Sequence, residues 1–297
     1  MDFAMNHRGK RYIAMAIMAS QDTPNPADFF ETLAFIWLTR LLYPIKVLGL
    51  QGEGLTSEDT TPQHQEIASL AGKASHGDQK ALRLLLCQRQ GEKFAVSDSY
   101  SDEASPAMVG DAVVAPLIAS RIFPFSSNDF KDYESASGVD GLMDSQYSIY
   151  LKKRAVDTWD MLIAWSSFDI QKLAESEING PANAVLLRAD LDPQFRKFQF
   201  WFEPTEQPNA YNLVARRNTG YNKKVITFAN CHDKPIAIPD PKILGLHAAF
   251  ANVLNASGAG EYIDSCWRDM DDIRVLSPDG ATSLHSLNLA LPRLVTV

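Results

Sequence analysis

Hydrophobic and polar positions follow two different periods along this chain, with the change near residue 100. In the first third the spacing is helical. Asn25–Pro26 reads as an N-cap followed by proline at the first helical position, and Asp28 and Glu31 sit in the first turn, where the helix dipole favours acids. Phe30, Leu33, Trp37 and Leu41 recur at helical spacing, and Pro44 is expected to end that helix. Thr61–Pro62 opens a second helix, and a third covers about Asp78 to Arg89 with Gly91 just beyond. Before them, Arg8–Gly9–Lys10–Arg11 leads into the apolar run Tyr12–Ala19, which is read as a buried strand. At about eight residues the run is short for a secretory core, and no apolar run reaches the ~18 residues of a membrane span.

Residues 96–111 are rich in Ser, Asp and Glu and show no period, so they are expected to be a polar loop. After the loop, Ala112 to Ile118 is apolar and leads into Arg121–Ile122–Phe123–Pro124–Phe125–Ser126. Residues from about Gln146 to Ala174 read as one helix or two and carry Trp159, Trp165 and Phe168. Asn179–Gly180–Pro181–Ala182–Asn183 is a turn. Phe198, Phe200 and Phe202 then alternate with Gln199, Trp201 and Glu203, the period of a strand, and Tyr211–Ala215 is its hairpin partner. Asp240–Pro241 starts a last strong helix ending near Gly258, and the tail after about Ser277 reads as irregular. The expected organisation is a mainly helical region at 1–95 packed on a core, the polar loop at 96–111, and an α+β core at 112–297 with C-terminal helices.

Charge and cysteine content narrow the function classes. The 297 residues hold 28 Lys plus Arg against 36 Asp plus Glu, a formal net charge of −8. A protein built to grip phosphate backbones normally shows the opposite balance, so nucleic acid is not expected as the partner. Three separate cysteines, Cys87, Cys231 and Cys266, form no CxxC pair and suit free thiols in a reducing compartment. His7, His64, His76, His232, His247 and His285 fall in no HExxH or Cys/His cluster. There is no GxSxG elbow, Walker-type loop or GxGxxG. No cofactor, no metal ligand set and no membrane partner is expected, and the protein is read as cytoplasmic.

Three pieces in the middle of the chain resemble the fungal branch of the HNH nuclease-like superfamily. That family has an Ala–His–Ile–aliphatic–Pro–(Phe or Arg)–Ser stretch at a strand end, here Ser120–Arg121–Ile122–Phe123–Pro124–Phe125–Ser126. Its asparagine turn stands here as Asn183–Ala184–Val185–Leu186–Leu187, and its Asp–Leu–His–x–x–Phe–Asp helix as Asp190–Leu191–Asp192–Pro193–Gln194–Phe195–Arg196. The resemblance covers roughly residues 105–260. It implies a degenerate HNH-like ββα core with added helices and a β-hairpin.

The departures from that pattern carry most of the functional content. In the family, the first histidine is the base that activates water, the asparagine orients it, and the second histidine helps hold a divalent cation. Arg121 stands in the first position, and a guanidinium, with a pKa above ~12, takes no proton at neutral pH. Asp192 stands in the second; a carboxylate still suits Mg²⁺, but without the base the chain reads as inactive toward phosphodiesters. Degenerate relatives of this type resemble members of secondary-metabolite pathways, some linked to cyclisation and cycloaddition.

Two functions follow as expectations. The first is a cofactor-independent cyclase of the Diels-Alder or hetero-Diels-Alder type acting on a hydrophobic terpenoid or polyketide. Arg121 and Asn183 are its candidate hydrogen-bond donors, Asp192 orients Arg121, and Phe123, Trp159, Trp165, Phe195 and Trp201 bind substrate. The second is a pseudonuclease, or a residual metal-dependent endonuclease, that binds DNA. Plainer readings stay open beside these: Arg121 in a salt bridge with Asp192, Asn183 capping a backbone group, and the aromatics as core. A homodimer is compatible with either function.

Overall fold

The computed structural model describes residues 7–50, 66–96, 99–102, 104–123, 158, 160–166, 178–216 and 222–272. Helices and small sheets occur together, an α+β class. The chain divides into two units, each discontinuous in sequence: one of Met1–Lys46, Asp132–Ser167 and Asn252–Val297, the other of Val47–Lys131 and Phe168–Ala251.

The first unit is helical among its described residues. Its opening element, α1 (His7–Ala19), is a helix where a strand was expected. The run is dominated by Ala and Met, strong helix formers, and its two β-branched residues, Ile13 and Ile17, lie four apart on one helical face. α2 (Pro26–Trp37) starts as expected with Pro26 at the first position, although the Asn25 amide donates to Asp28 Oδ2 at 2.6 Å instead of capping the backbone. Pro44 does not end the helix. A π-turn at Leu38–Leu42 shifts the hydrogen-bond ladder, and Pro44 falls in the first turn of α3 (Tyr43–Leu50), where its missing N–H is tolerated. Lys46 is almost wholly buried and pairs with Asp264 at 3.1 Å, joining α3 to α9 (Ala259–Asp272). Residues 160–166 are also helical, and Trp165 is buried in this unit.

The second unit contains every described strand. α4 (Ile67–Ser75) leads to α5 (Gln79–Gln90), which Asp78 caps by accepting the Ala81 N–H at 3.0 Å and which Gly91 closes in the left-handed conformation at φ +64°. The residues at 61–65, where the second helix was expected to open, lie outside the described residues. The stretch expected to be an irregular loop carries β1 (Tyr100–Ser101) and the one-turn α6 (Pro106–Val109), and β1 pairs in parallel with β2 (Val114–Ala115). Ser101 is fully buried, and its N–H donates to the Glu92 carbonyl at 2.8 Å, so polar composition alone concealed an anchored segment.

β3 (Leu117–Arg121) pairs antiparallel with β4 (Ala184–Arg188), from Leu117 opposite Arg188 to Arg121 opposite Ala184. β4 is an unbroken apolar run because α5 and other core elements cover it. A short helix, α7 (Asp192–Arg196), follows and packs on β3 and on β5 (Phe200–Pro204). β5, β6 (Ala210–Ala215) and β7 (Val225–Thr227) form an antiparallel sheet in that order, so the expected hairpin is present. α8 (Pro241–Ala256) begins in this unit, and its His247 and Phe250 complete the aromatic core with Phe195, Phe198, Phe200 and Phe202.

Candidate functional site

The strands β3 and β4 and the helix α7 bring three candidate residues onto one element. Arg121 is the last residue of β3, Asn183 directly precedes β4 in the 3₁₀ turn Pro181–Asn183, and Asp192 is the first residue of α7.

Asn183 is fully buried and its amide is used completely. Oδ1 accepts the Phe123 N–H at 2.9 Å, while Nδ2 donates to the Phe123 carbonyl at 3.1 Å and to the Ile178 carbonyl at 2.8 Å. The Asn183 carbonyl also accepts the Ile122 N–H at 2.9 Å. The side chain therefore clamps the backbone immediately after Arg121 and has no donor left for a ligand. This is the backbone-capping alternative, and it corrects the expectation that Asn183 is a substrate-facing donor.

The turn is itself held from both sides. Asp240 caps α8, with its Oδ1 accepting the Lys242 N–H at 2.6 Å, and its own N–H donates to the Ala182 carbonyl at 2.9 Å. Arg89, on α5, is wholly buried: Nη1 donates to the Pro181 and Ala237 carbonyls at 2.9 Å each, and Nη2 to the Ala184 carbonyl at 3.2 Å and Gln90 Oε1 at 3.1 Å. All of these acceptors are neutral, and burial lowers the Arg89 pKa to about 10, so it remains charged at neutral pH.

Asp192 is also buried, but it does not orient Arg121. Its Oδ2 accepts Nε of Arg196 at 2.9 Å, a pair one helical turn apart within α7. In place of the expected bridge to Arg121, Asp192 pairs with Arg196, four residues on in the same short helix. Arg121 is half-buried at the strand end.

The aromatic candidates are core residues. Phe123 is 1% exposed and packs 6.4 Å from Phe250; Phe195 is 0% exposed, with Phe200, Phe202 and His247 around it. Trp201 is buried on the opposite face of β5, and its indole N–H donates to Glu203 Oε1 at 2.9 Å. Trp165 belongs to the other unit, and Trp159 lies outside the described residues.

Sequence reading missed Arg89, Phe198 and His247. Arg89 had a visible signal, since Leu82, Leu85 and Leu86 place position 89 on the apolar face of α5. Phe198 fits the strand alternation but precedes β5 in the left-handed conformation, at φ +58°. It closes α7: the Phe198 N–H donates to the Phe195 carbonyl and the Gln199 N–H to the Gln194 carbonyl, both at 2.9 Å. That end usually takes glycine, which is why no sequence signal marked it.

With this geometry in place, comparison with known families adds one finding. Residues 107–203 match the HNH endonuclease family model. The matched stretch is about a third of the chain and contains β3, β4, α7 and most of β5, so an HNH-like domain lies within the α+β fold. Neither the curated proteins nor the solved structures compared with the chain give a match.

An HNH-like domain implies a divalent cation, and the residues at the corresponding positions do not fit one. The strand-end position carries the cationic Arg121, and the Asp192 carboxylate, which stands in the metal-binding histidine's position, is already bridged by Arg196. Among the described residues no group of three or more His, Cys, Asp or Glu side chains converges on a common point. Hard cations need several oxygen ligands, and one bridged carboxylate beside guanidinium groups is a poor start.

Proposed function

We propose that this HNH-like domain is a non-hydrolytic scaffold, and that the chain catalyses a ring-forming cycloaddition of a hydrophobic terpenoid or polyketide by binding and orientation. The observation that supports this reading is the chemistry at the ββα element: a permanently charged donor at the strand end, a carboxylate neutralised within its own helix, and no imidazole in either histidine position. Such a set cannot deprotonate water, but it can hold an oxygen that gains negative charge. A pericyclic closure needs no proton shuttle; holding two reacting π-systems in near-attack geometry supplies on the order of 7 kcal/mol. A guanidinium aimed at a carbonyl oxygen lowers the barrier further.

In this reading Arg121 is the substrate donor. Asn183 and Arg89 are positioning residues that fix the backbone beside it, and Phe123 and Phe195 are core residues rather than a pocket wall. The test is product ratio and rate with purified protein after exhaustive EDTA treatment. Acceleration over buffer with a biased stereochemistry supports the proposal, and a product ratio equal to that in buffer ends it.

The family match to an endonuclease favours a second reading, a domain that retains DNA binding. Gel-shift and nicking assays with Mg²⁺, Mn²⁺ and Zn²⁺ separate the two. Metal-dependent cleavage lost in Asp192→Ala would establish the second and remove the first.

A further inference from the structure

His247, in the middle of α8, is the one buried histidine among the described residues, and the resemblance gives it no role. It is 2% exposed, and its ring lies between two phenylalanines, stacked on Phe195 at 4.1 Å and 20° and on Phe198 at 4.6 Å and 24°. Nε2 lies 3.2 Å from the Phe195 carbonyl. A carbonyl only accepts, so Nε2 carries the hydrogen and Nδ1 holds a bare lone pair. That Nδ1 is buried and has no partner. The Phe195 carbonyl takes two donors, His247 Nε2–H and the Phe198 N–H, at the point where α7 ends. The left-handed Phe198 is held there by its stacking on His247 and its contact with Phe250.

We propose that His247 is a proton-sensitive latch that seats α7, the helix carrying Asp192, against the core. Neutral His247 completes the sandwich. A second proton on Nδ1 puts a charge and an unsatisfied donor between two aromatic faces, which water can relieve only if the end of α7 and Phe198 lift away. The strained backbone at Phe198 favours opening there over other points in the core. The latch stands independently of what the site binds.

The direction of the pH response follows from the geometry. Burial, opposed by the Phe195 carbonyl, lowers the folded pKa from 6.5 to about 3. The charged groups on the elements packed around His247 are Asp192 and Arg196 on α7 with Lys197 just after it, Glu203 on β5, and Lys242 on α8 with Asp240 before it; none of them contributes to the shift. A histidine depressed in the folded state contributes stability that is fully present above the unfolded pKa and is lost as pH falls toward the folded one. The window is therefore from about 6.5 down to about 3. Between pH 7.5 and pH 5 the open population should rise about 30-fold, the ratio of proton binding to an exposed histidine at those two pH values.

Amide hydrogen exchange on the full chain tests this, corrected for intrinsic exchange chemistry and followed by peptide mass spectrometry. Exchange of the α7 amides, including Phe195 and Arg196, is expected to accelerate about 30-fold over that interval, while the β6 amides of Leu213 and Ala215 respond far less. In His247→Phe, which keeps the stack, the α7 response should be flat; if that variant does not fold, His247→Gln takes its place. NMR of the wild-type ring supplies an independent reading, with the Nε2–H tautomer and no titration above pH 5 expected. A flat wild-type response at α7, an equal response at β6, or a ring that titrates near 6.5 in the folded protein each overturns the latch.

Discussion

At the scale of single residues, the side chains that matter most here are buried polar groups whose bonds are spent on backbone. Asn183 is the strongest case. Replacing it with alanine removes three buried hydrogen bonds and leaves the Phe123 N–H and two carbonyls unsatisfied, at about 3 kcal/mol or more. Urea unfolding of Asn183→Ala should show a clear drop in midpoint with little change in slope. Arg89→Lys tests the fork geometry: one ammonium cannot span carbonyls contributed by Pro181, Ala184 and Ala237, so the variant should lose about 2 kcal/mol in spite of keeping the charge. Arg121→Ala is expected to lower turnover of the proposed cyclisation at least ~10-fold, about 1.4 kcal/mol, with circular dichroism unchanged. Unchanged turnover in a folded Arg121→Ala protein would make it a structural residue.

Elements show where the sequence was readable. The α5 helix was legible at both ends because Asp78 and Gly91 act through local backbone geometry. The β5–β6 hairpin and α8 were legible because their apolar periods match their burial. The errors came from elements decided by neighbours or by unusual turns. Tyr12–Ala19 has apolar content that suits either period, and Pro44 was misread because a π-turn leaves no sequence mark. At the site, the positions of Arg121, Asn183 and Asp192 on one ββα element were readable from motif spacing, but the bonding was not, because spacing does not say which acceptor a side chain reaches. The Asp192–Arg196 pair is a property of one short helix. A double-mutant cycle with Asp192→Asn and Arg196→Met should give a coupling of about 1 kcal/mol that falls only modestly with added salt, since the carboxylate is 7% exposed.

For the whole molecule, the two units differ in how their apolar surface is used. In the second unit, Phe195, Phe200 and Phe202 are within a few per cent of full burial. In the first, α2 buries none of its residues fully, and Met15 and Met18 on α1 are 61% and 63% exposed. Met15→Ser with Met18→Ser should therefore change unfolding free energy by no more than about 0.5 kcal/mol, measurable by thermal denaturation, whereas a comparable polar substitution at Phe195 should abolish folding. No described helix is long and apolar enough to cross a membrane.

The buried guanidinium of Arg89 also constrains the order in which the molecule can be made. Its acceptors at Pro181, Ala184 and Ala237 lie 92, 95 and 148 residues downstream. A ribosome that has released the whole family-matched stretch has still not supplied the last of them, nor the Asp240 amide that secures Ala182. The nascent chain must therefore carry an unsettled asparagine turn until residues 237 to 240 have been synthesised. Truncated chains ending near residue 230 should be cut by protease at that turn, and the 297-residue chain should resist.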